Sequence, residues 1–423
     1  MPGEIPERMK AWAVEAIRKN SGYNLVLDFL KANFHDFSHE NIIVVSIGKA
    51  AVSMAKGAKE FFGKRIKRGM VISNKEGEVE GFEFYLGSHP YPDGKSLRAG
   101  KALLSLAEET GPHNLVLFLI SGGASSLAVL PHPPFTLEDL SFIYRKLILS
   151  GASIGEINTV RRHISLIKGG RLARAFAPSR VITLAISDVR GDEPQDIGSG
   201  PTVPDPTTLE QASKIMTKYG LSPFLDKLNS VPESPKPTDP VFRKNRFVVL
   251  ANTLKILKDI EDMAKKEGFN TAILTSEDSG EASQASGVYS GVIFEILRSG
   301  NPWEPPLVLL SGGELTVTVK GKGKGGRNTE FLLALIRDCR EIKGRFCALS
   351  MGTDGIDGPT DASGAVFCSD VYGKMGDLKP EEYLENNDSY NFFEKLGLLI
   401  KTGPTDTNLR DIRIFWIGKR KGH

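Results

Sequence analysis

Short aliphatic and β-branched runs alternate along the chain with longer stretches whose apolar residues recur every three or four positions. The runs Ile42–Ser46, Met70–Ser73, Leu115–Ile120, Val181–Ser187, Phe247–Ala251, Ala272–Thr275, Leu307–Leu310, Phe346–Ser350 and Ile412–Ile417 predict strands. Between them Ala50–Phe62, Ser96–Glu109, Leu137–Ser150, Thr253–Glu267, Glu281–Ser299 and Thr329–Arg340 predict helices, most of them charged on one face only. Such alternation implies layered α/β domains with largely parallel sheets. The proline-rich stretch from Val231 to Pro240 cannot continue a helix or a central strand, so it is expected to link an N-terminal domain, residues 1–236, to a C-terminal one, residues 237–423.

Composition narrows the class. A chain of 423 residues holds about two or three domains on the usual prior, each with a core of its own. Its 54 basic and 51 acidic residues leave a formal charge of +3 with no long run of one sign, so nucleic acid is not an expected partner. The cysteines Cys339, Cys347 and Cys368 are odd in number and outside any C-x-x-C spacing, which indicates neither a disulfide framework nor a thiolate zinc site. Charged residues interrupt the first twenty positions, and no apolar run approaches the ~18 residues of a membrane span. A soluble, cytoplasmic protein is expected.

Ligands of open α/β sheets gather outside the carboxyl ends of the strands, and here those ends carry chemistry. Gly48-Lys49 follows the first strand, where an ammonium can reach a phosphate or carboxylate. The turn Ser121-Gly122-Gly123-Ala124-Ser125-Ser126 and its echo Ser311-Gly312-Gly313-Glu314 break apolar strands into small hydroxyl and glycine residues whose backbone N–H groups suit an anion. The loop from Asp188 to Pro201 offers hard oxygen donors for Mg²⁺, with Asp188 capping its strand directly and Asp192 as second candidate. Asp354, Asp357 and Asp361 form a second acidic loop without EF-hand spacing, and Asn158 opens a donor-rich stretch with Arg161, Arg162 and His163.

The segment Lys320–Glu330 satisfies G-x-G-x-x-G from Gly321 to Gly326, but the preceding Leu315–Val319 alternates like a half-exposed antiparallel strand. A mobile basic loop closing over polyphosphate fits better than a dinucleotide site, with Arg327 gripping an oxygen pair at the helix mouth. There is no G-x-x-x-x-G-K-[ST], no protein-kinase motif set, no Ser-His-Asp ordering and no H-E-x-x-H.

Taken in order, these pieces resemble the class II glycerate kinases, the family with a C-terminal MOFRL domain. The matching residues are Ser46–Ala50, Ser88-His89-Pro90, Ser121–Ser125, Asn158 with Arg161-Arg162-His163, Lys168-Gly169-Gly170, Ser187-Asp188-Val189 with Gly198–Thr202, Ser311–Glu314, Gly326-Arg327-Asn328 and Gly352–Asp361. The resemblance implies a doubly wound, Rossmann-like parallel sheet in the N-terminal domain. It also implies a MOFRL-type α/β domain with a mixed sheet at the C-terminus, and an active site in the cleft between the two. It further implies ATP- and Mg²⁺-dependent phosphorylation of D-glycerate, giving 2-phosphoglycerate and ADP.

On that reading Lys49 and Arg327 hold substrate and neutralise the transferring group, while Asp188, with Asp192 as second candidate, holds Mg²⁺. Ser121, Gly122, Gly123, Ser125, Asn158, Ser311, Gly312, Gly313, Glu314 and Asp354 bind substrate or phosphate, and Asp354 or Glu314 takes the hydroxyl proton. Two alternatives stay open: an NAD(P)H-dependent hydroxypyruvate reductase using Gly321–Gly326, and a non-catalytic sugar-phosphate sensor. A homodimer is the default assembly.

Overall fold

The computed structural model describes residues 4–37, 41–112 and 114–419. In chain order the strands are β1 (Asn41–Ile47), β2 (Ile66–Ser73), β3 (Glu83–Leu86), β4 (Asn114–Ile120), β5 (Arg180–Ile186), β6 (Arg246–Ala251), β7 (Asn270–Asp278), β8 (Leu307–Gly313), β9 (Phe346–Gly352), β10 (Gly364–Cys368), β11 (Leu399–Ile400) and β12 (Asp411–Ile417). The short strands β3, β10 and β11 go beyond the expected set. Leu315–Val319, expected as a strand, contributes only an isolated bridge from Thr316 to Glu281.

The chain forms two compact units, Ser21–Leu250 and Met1–Asn20 with Ala251–His423. The division differs from the expected 1–236 and 237–423 at both ends. Helix Glu4–Lys19 packs on helix Thr253–Lys266, where Asn20 Nδ2 donates to Asp259 Oδ2 at 2.7 Å and Trp12 Nε1 to Glu267 Oε1 at 2.7 Å. The proline-rich stretch is no free linker. Arg171 Nη2 donates to Pro232 O at 2.7 Å, His163 Nε2 meets Glu233 Oε1 at 2.9 Å, and Ser234 Oγ donates to Asp205 Oδ2 at 2.8 Å. Prolines that cannot join a helix or ladder still cover one side of a unit when neighbouring side chains satisfy their carbonyls.

The unit Ser21–Leu250 is built on a sheet ordered β3-β2-β1-β4-β5-β6, with parallel pairing from β3 through β5. Side chains alternate across each strand. Ile43, Val45 and Ile47 of β1 pack with Leu103, Leu106 and Phe176 in one core, while Ala51 and Ala55 of helix Ala51–Phe62 pack with Val71 of β2 in another. Buried strands covered on both faces lose polar alternation, which is why β1 and β4 read as continuous apolar runs.

The other unit has a mixed sheet ordered β11-β10-β9-β12-β8-β7, parallel at β7–β8 and antiparallel elsewhere. The odd residues Leu307 and Leu309 of β8 join the core with Phe331 and Phe415. Even Gly312 faces the opposite helix, since an added Cβ there would lie 2.5 Å from Thr253 Cγ2. Cys347 and Cys368 sit opposite each other on β9 and β10 and form a disulfide, contrary to the expectation of none. The pairing comes from strand register, which spacing in sequence does not reveal.

Candidate active site

In the unit Ser21–Leu250 the strand order reverses between β1 and β4, and their carboxyl ends lie side by side. Backbone bonds lock the two strand ends together: Ser121 N donates to Ile47 O at 3.0 Å and Lys49 N to Gly122 O at 2.9 Å. Ser121 Oγ accepts from Ala50 N at 3.1 Å, so this hydroxyl builds the Lys49 turn. Gly48, at φ +132°, has no room for a side chain because a Cβ would lie 2.1 Å from Ser121 Oγ. Gly123 is left-handed at φ +88°, and the point where its Cβ would be lies 3.5 Å from Lys49 Cγ and 3.2 Å from His89 Cδ2. Lys49, Gly123 and His89 thus converge at the topological switch point, the usual ligand position in such sheets. Desolvation, with the charges of Lys49 and Arg161, holds the His89 imidazole below its ordinary pKa and so neutral near pH 7.

Ser125 and Asn158 belong to a network behind this turn. Ser125 Oγ meets Ser199 Oγ at 2.9 Å, Ser199 Oγ donates to Asn158 Oδ1 at 3.0 Å, and Asn158 Nδ2 donates to Asp196 Oδ1 at 3.0 Å. Arg162 completes it through ion pairs with Asp196 at 3.0 Å and Asp205 at 2.9 Å. His163 is fully buried between Thr159 O at 2.8 Å and Glu233 Oε1 at 2.9 Å, a structural clamp. Lys168, also buried, has its pKa pushed down to about 7 by burial and by the Arg161 charge. Asp188 follows β5, the next strand along, and Asp192 lies on the same loop at φ +55°.

The echo turn behaves differently. Ser311-Gly312-Gly313 is no open turn but the end of β8, paired with Asp411–Arg413 of β12 on one side and with Thr275 and Asp278 of β7 on the other. Ser311 Oγ accepts from Tyr289 Oη at 2.8 Å, and a Cβ on Gly313, at φ +143°, would lie 2.3 Å from Asp278 N. Two flanking strands thus crowd the backbone expected to cradle an anion.

The chemistry of this unit gathers instead at Arg327, the first residue of helix Arg327–Asp338. Its Nε and Nη2 donate to Asp411 Oδ2 and Oδ1 at 2.6 and 3.0 Å, and its Nη1 donates to Glu314 Oε1 at 2.6 Å. Burial works against the charge, but the carboxylates of Asp411 and Glu314 outweigh it and raise the guanidinium pKa. Asp411 is fully buried, whereas the Glu314 side chain is 51% exposed. Asp354 Oδ1 lies near the same corner: a Cβ on Gly352 would sit 3.2 Å from it and 3.6 Å from Asp411 Oδ1. Asp411, which sequence reasoning missed, is an acidic residue opening a strand that is apolar apart from Arg413.

Asp357 holds the helix mouth. Its carboxylate accepts from Asn328 N at 2.8 Å, Thr329 N at 2.9 Å and Thr329 Oγ1 at 2.8 Å, satisfying donors that a helix start otherwise leaves without partners. Burial raises its pKa in spite of these bonds. Asp357→Ala is expected to cost about 2–3 kcal/mol by stranding buried donors, which thermal unfolding monitored by circular dichroism measures; an unchanged melting temperature would contradict the capping role.

The glycine loop is pinned rather than mobile. Gly321 N donates to Asn387 Oδ1 at 2.9 Å, Lys322 N to Asn386 Oδ1 at 3.0 Å, Gly323 N to Asn386 O at 2.8 Å and Lys324 N to Asp388 Oδ1 at 2.8 Å. A Cβ at Gly321 would fall 2.3 Å from Asn386 O, so the glycine lets two backbones pass closely. These donors are spent within the unit and cannot cradle a pyrophosphate. Among the described residues no group of three or more His, Cys, Asp or Glu side chains is arranged to hold a metal ion.

Residues 8–231 match the Domain of unknown function (DUF4147), and residues 307–411 match the MOFRL family. The D-glycerate 2-kinase of Thermotoga maritima is 38% identical over 416 residues, 97% of this chain and 98% of that protein. A putative hydroxypyruvate reductase of Agrobacterium vitis is 40% identical over 386 residues, 89% of this chain and 87% of its own. The crystal structure of the Thermotoga maritima glycerate kinase superposes with a TM-score of 0.89 at 36% identity, covering 98% of this chain and 100% of that one. The doubly wound sheet, the mixed sheet and near full-length similarity agree, and the chain belongs to the glycerate kinase family that carries a MOFRL domain.

Proposed function

We propose that this kinase transfers the γ-phosphoryl group of ATP to the 2-hydroxyl of D-glycerate, giving 2-phosphoglycerate and ADP. The observation that carries the reading is Arg327, fixed bidentately on buried Asp411 while its third contact, Glu314, stays exposed and exchangeable. An anchored guanidinium facing a replaceable carboxylate is a seat for a phosphoryl oxygen, which Glu314 vacates when the anion arrives. Lys49 supplies a second cation from a turn that three backbone and side-chain bonds hold rigid.

Phosphoryl transfer asks a protein for position and charge more than for covalent chemistry. Lys49 and Arg327 orient the anions and stabilise charge on the transferring group. We assign Mg²⁺ that arrives with nucleotide to Asp188 and Asp192, which offer the hard carboxylate oxygens such an ion takes alongside phosphate and water. When bound, the ion would supply charge neutralisation on the phosphates. Asp354, beside the Arg327 cluster, is our candidate to accept the hydroxyl proton, Gly122 and Gly123 shape the Lys49 turn, and Ser125 supports it from behind through Ser199. We also propose a cytoplasmic enzyme, where ATP is at hand, and a homodimer, the commonest closed assembly.

Purified protein with ATP, Mg²⁺ and D-glycerate is expected to release ADP well above the blank without glycerate, and phosphorus NMR to show a phosphate ester on carbon 2. ADP at the level of the blank sinks the reading. Loss of NAD(P)H absorbance with hydroxypyruvate would support the reductase instead, a reading weakened by the spent donors of Gly321–Lys324.

A further inference from the structure

One cavity in the unit that carries Arg327 is lined in part by that residue and extends beyond the contacts already assigned to it. It encloses about 430 Å³ and is lined by Leu315, Val317, Val319 and Pro359 together with Arg327, Glu330 and Asn387. That volume lies in the roughly 300–1,000 Å³ range of small-molecule sites. Val319, on this lining, leaves 74% of its surface open to solvent.

The wall from Leu315 to Val319 is extended, yet only one of its edges is paired. Thr316 N donates to Gly280 O at 2.8 Å, Thr318 N to Glu281 Oε1 at 2.8 Å, and Lys320 N to Asn387 Oδ1 at 2.7 Å. In an extended chain the next residue's N–H and C=O point to the opposite edge. Among the described residues the N–H and C=O of Val317 have no hydrogen-bond partner. The cavity therefore combines apolar side chains for a flat ring, the unpaired backbone of Val317 in its wall, and the polar side chains of Arg327, Glu330 and Asn387.

We propose that this cavity takes the adenine base of the nucleotide donor, with its Watson–Crick edge on the Val317 backbone and its phosphates leading out toward Arg327. Adenine offers one acceptor and one donor on that edge, the complement of a peptide N–H and C=O. The inference rests on the kinase reading and adds to it the position and the base preference of the donor.

Calorimetric titration of the full chain with ADP, GDP and tripolyphosphate tests it, using Val319→Asn and Pro359→Ser, two exposed positions whose change spares the core. ADP is expected to bind about tenfold more weakly to each variant, the scale of one lost apolar contact, with tripolyphosphate affinity unchanged and circular dichroism identical to the parent. Unaltered ADP affinity in both variants, or equal loss of ADP and tripolyphosphate, overturns the assignment. GDP binding as tightly as ADP overturns the adenine preference. If the parent protein makes glycerate-dependent ADP while the variants bind ADP normally, the cavity assignment falls and the kinase reading stands. If the parent makes none yet the variants weaken ADP, the reaction falls and the cavity stands; a parent that binds no ADP overturns both.

Discussion

Arg327→Lys is expected to lower kcat/KM for D-glycerate at least about a hundredfold, the scale of losing a preorganised donor to a developing charge. Lysine keeps the charge but loses the fork. It cannot span both oxygens of Asp411, as Arg327 does at 2.6 and 3.0 Å, and still present a third donor where Glu314 sits. The substitution leaves a cation beside buried Asp411, so the fold should survive and the melting temperature stay close to the parent's. The discriminating measurement is steady-state kinetics with both substrates varied, alongside thermal unfolding. Activity within fivefold of the parent would remove Arg327 from the proposed reaction, and a collapse of the fold would instead mark it as structural.

Lys49→Met is expected to reduce turnover by about a hundredfold or more at saturating ATP, for the same electrostatic reason. Methionine preserves an unbranched stem beside Gly123, and the turn itself is held by Ser121 and Gly122, which the change does not touch. Stability should hardly move. The two cations are proposed to serve one reaction, so the Lys49→Met, Arg327→Lys double variant should lose much less than the product of the single losses. Full multiplicativity would show independent roles and defeat the single-reaction reading.

Much of the candidate chemistry was legible because it is local. Gly48-Lys49 and Ser121-Gly122-Gly123 follow apolar runs, and a strand that stops at glycine and hydroxyl residues announces its carboxyl end without help from distant contacts. Arg327 was likewise visible at the mouth of a helix expected over Thr329–Arg340, which the structure starts two residues earlier, at Arg327 itself. The partner that fixes it was not. Asp411 lies 84 residues further on and becomes Arg327's anchor only because β12 pairs with β8 and β9.

The errors have the same root. Ser311-Gly312-Gly313 has the composition of an anion turn, yet two flanking strands claim its backbone. The glycines from 321 to 326 have the composition of a phosphate loop, yet Gly321, Gly323 and Gly325 let one backbone pass close to Asn386–Ser389, and Gly326 makes room for Asp357. Glycine records that a Cβ is excluded, not what excludes it.

Taken alone, the chain's pattern determined the α/β class, most strand and helix positions, and the lysine turn at the switch point, since these follow from hydrophobic period and backbone sterics within a few residues. Tertiary structure decided which unit helix Glu4–Lys19 joins, which carboxylates hold Arg327, that Cys347 meets Cys368, and that the glycine loop is pinned. Those outcomes depend on pairing and packing between segments far apart in the chain, where register and burial choose among partners that look alike in sequence.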